Sequence, residues 1–170
     1  TSGLFRGNFW STWTSPASRK SGWAIKSSLT EVRLGDQVQK EMTVLFSDIK
    51  AFTTISESMT PADNFAFINR YLSYVSPVIR NHGGFVDKYI GDAVMALFAE
   101  SPVDAVKAAL EMQSALARYN KERRAAGRDA VEAGTGIHTG ALMLGTIGEE
   151  ERMESTVISD VVNLASRLEG

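Results

Sequence analysis

Along this chain, apolar and polar positions change period several times, and each change marks an element. Residues 42–49, MTVLFSDI, form a short apolar run of buried-strand character that ends on an aspartate. After a Phe-Thr-Thr loop, MTPADNFAFINRYLSYVSPVIRNHGG predicts a helix. Thr60 is placed to cap it, Pro61 suits its first position and Asp63 completes a capping pair. Phe65, Ile68, Leu72, Val75 and Ile79 recur at three- and four-residue steps, Gly83 closes the helix, and Pro77 should kink its last turns. FVDKYIGDAVMALF then places Gly91-Asp92 between two apolar runs, a tight-hairpin pattern. Plain alternation puts Val86, Lys88 and Ile90 on one face and Phe85, Asp87 and Tyr89 on the other.

A second long helix is predicted over residues 101–126, opened by Ser-Pro-x-Asp and closed by Gly127. Residues 131–148, VEAGTGIHTGALMLGTIG, read as two strands around a turn near Gly140, with the glycines at 134, 136, 140 and 145 serving turns and close strand packing. Residues 159–170 read as a final helix. The order strand, helix, hairpin, helix, hairpin, helix predicts an α/β (α+β) sandwich, helices against an antiparallel-rich sheet, close to the split β-α-β plan.

Composition narrows the chemistry. At 170 residues the chain fits one domain, and its 44% hydrophobic and 22% charged content is that of an ordinary globular protein. The absence of cysteine excludes thiolate metal centres and a count of two histidines argues against a histidine-built one, so any metal is expected to be held by oxygen. A net charge of −2 gives no basic footprint for nucleic acid. Residues 1–30 differ, with four basic residues, no acidic ones and all three tryptophans amid Ser, Thr and Gly. Residues 1–28 are expected to be a poorly ordered lead-in or the remnant of an upstream region; an organelle transit peptide is the alternative. No run approaches transmembrane length.

Walker-A, dinucleotide-fold and nucleophile-elbow patterns are missing. Two carboxylates remain, each at a strand end: Asp48 closes the first strand and Asp92 sits in the hairpin turn. If those strands are neighbours, the carboxylates repel unless a divalent cation neutralises them, and such a pair suits Mg²⁺ beside a substrate's phosphates. The plainer alternative is that Asp48 caps the loop after it. On the last helix, Asp160, Asn163 and Arg167 share one face, which could orient a hydroxyl and hold a phosphate or simply be solvated. Lys88 could equally lay its stem along the sheet and keep its charge in water.

Four motifs in this order resemble one family: VLFSDIKAFTT, VDKYIGDAVMALF, GIHTG and STVISDVVNLASRLEG. From about residue 29 to residue 170 the chain resembles the class III nucleotidyl cyclase catalytic domain, most of all bacterial and particularly cyanobacterial members. The resemblance implies a ferredoxin-like fold working as a homodimer in intracellular signal transduction, with ATP converted to 3′,5′-cyclic AMP and pyrophosphate. It implies that Asp48 and Asp92, with the Ile49 carbonyl, hold two Mg²⁺ or Mn²⁺ ions. Backbone N–H groups from Lys50 through Phe52, Thr53 and Thr54 would cradle the triphosphate. Lys88 would donate to adenine N1 and Thr156 accept from the 6-amino group, whereas guanylyl cyclases usually carry glutamate at the Lys88 position. Asn163 would orient the ribose and Arg167 bind phosphate in the transition state, with these groups and the purine readers coming from the other subunit. The alternatives are a guanylate cyclase and a non-catalytic nucleotide-binding or dimerisation module; a diguanylate cyclase lacks its GG[DE]EF turn here. Lys50-Ala51 stands where the family usually has a small or apolar residue and then glycine, and Ser159 where it has glycine. The family also continues past the last helix with further strands, so residues 29–170 are expected to be a domain incomplete at its C-terminus. A longer parent is expected to carry an upstream sensor and to be cytoplasmic, or the cytoplasmic part of a membrane-attached protein.

Overall fold

The computed structural model describes residues 37–149, 152–158 and 160–169, all within one compact unit, Arg33–Gly170. The expected lead-in over residues 1–28 lies outside the described residues. In chain order the elements are β1 (Gln37–Ile49), α1 (Phe52–Glu57), α2 (Pro61–Asn81), β2 (Phe85–Ile90), β3 (Ala93–Phe98), α3 (Pro102–Ala125), β4 (Ala133–Glu149), β5 (Arg152–Ile158) and α4 (Asp160–Glu169). The sheet runs β2-β3-β1-β4-β5, antiparallel at every pairing. β1 and β2 therefore run the same way with β3 between them, which is the expected split β-α-β core.

The helix boundaries follow local chemistry. Thr60 Oγ1 accepts from the Asp63 N–H at 3.2 Å and donates to the Asp63 carboxylate at 2.7 Å, with Pro61 at the first position of α2. Ser101 Oγ accepts from the Val103 N–H to open α3 in the same way. Gly83 and Gly127, at φ of 76° and 70°, take the left-handed conformations that end the two helices. Pro77 lies inside α2, which continues past it to Asn81.

Helices α2 and α3 cover one sheet face, where Leu45, Ile49, Val94, Ala96 and Phe98 meet Phe67, Tyr71, Val75, Ile79, Ala108, Met112 and Tyr119. The buried stripe of α2 is Phe67, Tyr71, Val75, Val78 and Ile79; Val75 and Ile79 are buried as expected and Ile68 and Leu72 pack partly buried on the core, but Phe65 is 71% exposed and Phe67 takes its place. The reason is aromatic packing: Phe67 lies between Phe52 and Tyr119, with ring centroids 6.2 and 6.4 Å away. The buried Arg123 guanidinium stacks 4.8 Å above Phe67 and donates to the Asp129 carbonyl at 2.6 Å.

Residues 133–149 form one continuous strand and not the expected hairpin, because β4 does not turn at Gly140; it pairs with β1 from Ile49↔Ala133 to Gln37↔Gly145. Beyond its pairing with β1, β4 also pairs antiparallel with β5, from Met143↔Ile158 to Glu149↔Arg152. The glycines have another purpose. Ala133 and Ile137 face the α2/α3 core, so alternation turns Gly134, Gly136 and Gly140 to the opposite face, where α4 lies. A Cβ on Gly136 would stand 2.0 Å from the Ala165 carbonyl oxygen, and one on Gly140 would stand 2.6 Å from Val161. A smooth glycine track thus lets the helix backbone settle directly on the strand.

Candidate active site

The β1 register, with Ser47 opposite Val94, carries the end of that strand beside the β2–β3 turn, and the two aspartates meet there. The Ile49 N–H donates to Asp48 Oδ1 at 2.9 Å and to Asp92 Oδ2 at 3.1 Å, so one amide proton serves two carboxylates. Gly91, at φ 63°, makes the tight turn that presents Asp92. Asp92 is 8% exposed, and its carboxyl is pushed up to about 7, first by burial and then by the adjacent Asp48. Two crowded carboxylates short of donors form a donor set that a divalent cation would relieve, so the residues fit oxygen-bound metal. No third His, Cys, Asp or Glu completes a cluster with them among the described residues, so further ligands would come from backbone and substrate oxygens.

The stretch after β1 is strained. Ala51, at φ 54° and ψ 30°, is the one non-glycine residue with positive φ among those described, and it opens α1 without a side-chain cap. Thr53 and Thr54 are exposed in the first turn of α1, where helical N–H groups lack intrahelical acceptors. Phe52 points away from that turn, since its ring stacks on Phe67 within 8° of parallel. Lys50 is exposed and pairs with Glu132 at 3.8 Å.

Lys88 is placed by an irregularity that alternation alone does not reveal. Val86 pairs with Ala96 and Lys88 with Met95, so Asp87 is an extra residue in β2. Positions 95 and 96 face opposite ways, and therefore so do Val86 and Lys88; the expected shared face is wrong because of this bulge. Val86 packs on the α2/α3 core, and the Tyr89 hydroxyl lies 3.1 Å from Ser76 of α2. Lys88 emerges on the other face, in a row with Met95 and Phe46 and on the side where Asp48 also projects.

The structure does not gather the remaining candidates around the aspartates. Thr156 lies opposite Gly145 at the β5 edge, and its side chain lies outside the described residues. Asn163 and Arg167 are both exposed on α4, while Val161 and Ala165 are buried against β4. Leu164 and Leu168 are exposed too, at 40% and 56%. One residue went unnoticed in the sequence: Glu169 of α4 lies over Gly134, the pairing partner of Asp48, and its carboxyl is pushed up by burial and then by Asp48. No local motif marks it, since only the glycine track brings that helix end down to β1.

The family model for the adenylate and guanylate cyclase catalytic domain matches residues 35–170. The chain belongs to this family. An adenylate cyclase of Anabaena cylindrica is 44% identical over 147 residues, 84% of this chain, and one of Dictyostelium discoideum, terminal-differentiation specific, is 43% identical over 155 residues. The chain spans 29% and 7% of the lengths of those relatives. Among solved structures, the adenylyl cyclase CyaB from P. aeruginosa matches with a TM-score of 0.73 at 35% identity, covering 79% of this chain and 73% of that one. The guanylyl cyclase Cya2 matches with 0.72 at 34%, covering 78% and 70%. The fold is thus that of the class III cyclase catalytic domain, and nucleotide cyclases of both specificities share it.

Proposed function

We propose that this domain is an adenylate cyclase, forming 3′,5′-cyclic AMP and pyrophosphate from ATP in a homodimer with shared sites. The observation that carries this reading is the Asp48–Asp92 pair converging on the Ile49 N–H. Asp48, Asp92 and the Ile49 carbonyl would hold two Mg²⁺ or Mn²⁺ ions. When bound, such ions supply acidification of the ribose 3′-hydroxyl and neutralisation of charge at the α-phosphate. The ribose 3′-oxygen forms the new bond to the α-phosphorus, the bond to the β-phosphate bridging oxygen breaks, and the hydroxyl proton passes to solvent. Backbone N–H groups of Phe52, Thr53 and Thr54 receive the triphosphate, whereas the Lys50 N–H, expected to join them, is taken by the Glu132 carbonyl at 2.8 Å. Arg167 from the other subunit supports phosphate charge, and Asn163 orients the ribose, so catalysis here is positioning and electrostatics without a protein nucleophile.

Substrate choice falls to the purine readers. Lys88 donates to adenine N1, an acceptor, whereas guanine N1 carries a hydrogen; Thr156 accepts from the 6-amino group. Since Cya2 and CyaB fit the fold almost equally well, shape does not separate the two nucleotides and Lys88 is what favours ATP. The short span of the relatives covered supports a longer parent with regulatory domains. No helix among the described residues is long and apolar enough to cross a membrane.

The test is product formation by the purified chain with Mn²⁺ and either ATP or GTP. Cyclic AMP from ATP, with little cyclic GMP from GTP, is the expected result. A preference for GTP would reassign the domain as a guanylate cyclase, and nucleotide binding without any product would reassign it as a non-catalytic module.

A further inference from the structure

In a regular strand, neighbouring side chains project to opposite faces, so sequence neighbours do not meet through their charged ends. Asp87 and Lys88 do meet: Lys88 Nζ stands 3.5 Å from Asp87 Oδ2, and the bulge between Val86 and Lys88 is what allows it. The two partners differ sharply in environment. The Lys88 side chain is 40% exposed, whereas that of Asp87 is only 10% exposed, and Oδ2 is shielded from solvent without accepting any hydrogen bond. Burial raises the Asp87 carboxyl above its ordinary range, and Lys88 is the group that draws it back down. A carboxylate so poorly supplied with donors depends on that one ammonium, and the dependence restrains the lysine in turn.

We propose that Asp87 is a positioning residue for purine selection: its shielded carboxylate fixes the Lys88 ammonium on the sheet face that also bears Asp48, and so sharpens preference for adenine over guanine nucleotides. This rests on the reading of Lys88 as the purine contact. A four-carbon side chain swinging freely would accommodate either base at little cost. An ammonium held in one place offers a donor where adenine N1 accepts and where guanine N1–H also donates, so only the first base is matched. Asp87 itself touches no reacting atom; it acts through Lys88.

The inference is tested by a double-mutant cycle on the whole chain with Mn²⁺, comparing the parent, Asp87→Asn, Lys88→Met and the double variant. Each is assayed for kcat/KM with ATP and GTP and, independently of turnover, for direct calorimetric binding of each nucleotide. Asp87→Asn is expected to lower the ATP-to-GTP ratio about tenfold, mainly through KM and binding, and to change it less than about twofold once Lys88 is Met. Its melting temperature should hold or rise, because an amide removes a poorly solvated charge. A parent that prefers ATP while Asp87→Asn keeps the full ratio overturns this inference alone. An equal fall in both backgrounds marks a merely structural Asp87 and also overturns it. A parent without preference in either assay overturns the reading of Lys88 and this inference together.

Discussion

The strand-end site and the exposed face of α4 are built in opposite ways. At the first, Asp48 and Asp92 are pinned by a backbone amide, one of them almost fully buried, on strands locked in register. On the second, Asn163 and Arg167 stand in solvent beside exposed Leu164 and Leu168, and Arg167 forms no ion pair among the described residues. One region is complete within the chain; the other presents chemistry and apolar surface outward, as suits a half-site that meets a second protomer. The largest effect expected from breaking this contrast is at the buried half. Asp48→Ala or Asp92→Ala should lower kcat by at least about a thousandfold while circular dichroism shows an intact fold. Near-normal turnover in either variant would dismiss the metal reading.

If the halves of one site come from two chains, damage to them should complement. Asp92→Ala and Arg167→Ala are each expected to be nearly inactive alone. Mixed in equal amounts, half of the dimers are heterodimers with one intact and one doubly damaged site, so about a quarter of parental activity should return. A mixture as inactive as its components would place both halves in one chain.

The contrast also shows what was legible in the sequence. The positions of Asp48 and Asp92 were readable because strand ends and a Gly-Asp turn are local features, and the split β-α-β plan followed from the alternation of elements, whereas the full strand order did not. The caps at Thr60 and Ser101 were readable for the same reason. The continuous β4 was not, since glycine spaced along a strand looks the same whether it turns the chain or admits a helix; only α4 docking on Gly136 decides it. The face of Lys88 was misread because a bulge is one residue of slippage that periodicity cannot register. Phe65 and Phe67 both fit a helical stripe, and the choice between them was made by Tyr119, 52 residues beyond Phe67 in the chain.

That glycine track offers a way to loosen one half and leave the other. In Gly136→Ala the new methyl meets the Ala165 carbonyl and the Glu169 N–H, both backbone atoms that cannot rotate aside. Forced displacement of α4 should cost about 1–3 kcal/mol in urea unfolding and depress turnover. Calorimetric Mn²⁺ binding, which the proposed function assigns to the β1 end, should change little. Loss of metal binding equal to the loss of turnover would mean that the two regions are one cooperative unit.

The smallest expected effect is a pH dependence confined to the buried half. The Asp92 carboxyl, raised to about 7 by burial and by Asp48, titrates well above the ordinary carboxylate range it would adopt on unfolding. The folded state therefore holds this proton more tightly than the unfolded state does. Its contribution to stability is full below the unfolded value and is lost as pH climbs through about 7. Without divalent cations, the melting temperature should fall by a few degrees between pH 5 and pH 8. Asp92→Asn, which keeps the shape and removes the charge, should flatten that slope, whereas Arg167→Ala on the exposed helix should leave it in place. Added Mn²⁺ should raise the melting temperature more at pH 8 than at pH 5, because the cation binds the ionised pair in competition with the proton. A slope that survives in Asp92→Asn would move the titrating group away from the aspartate pair.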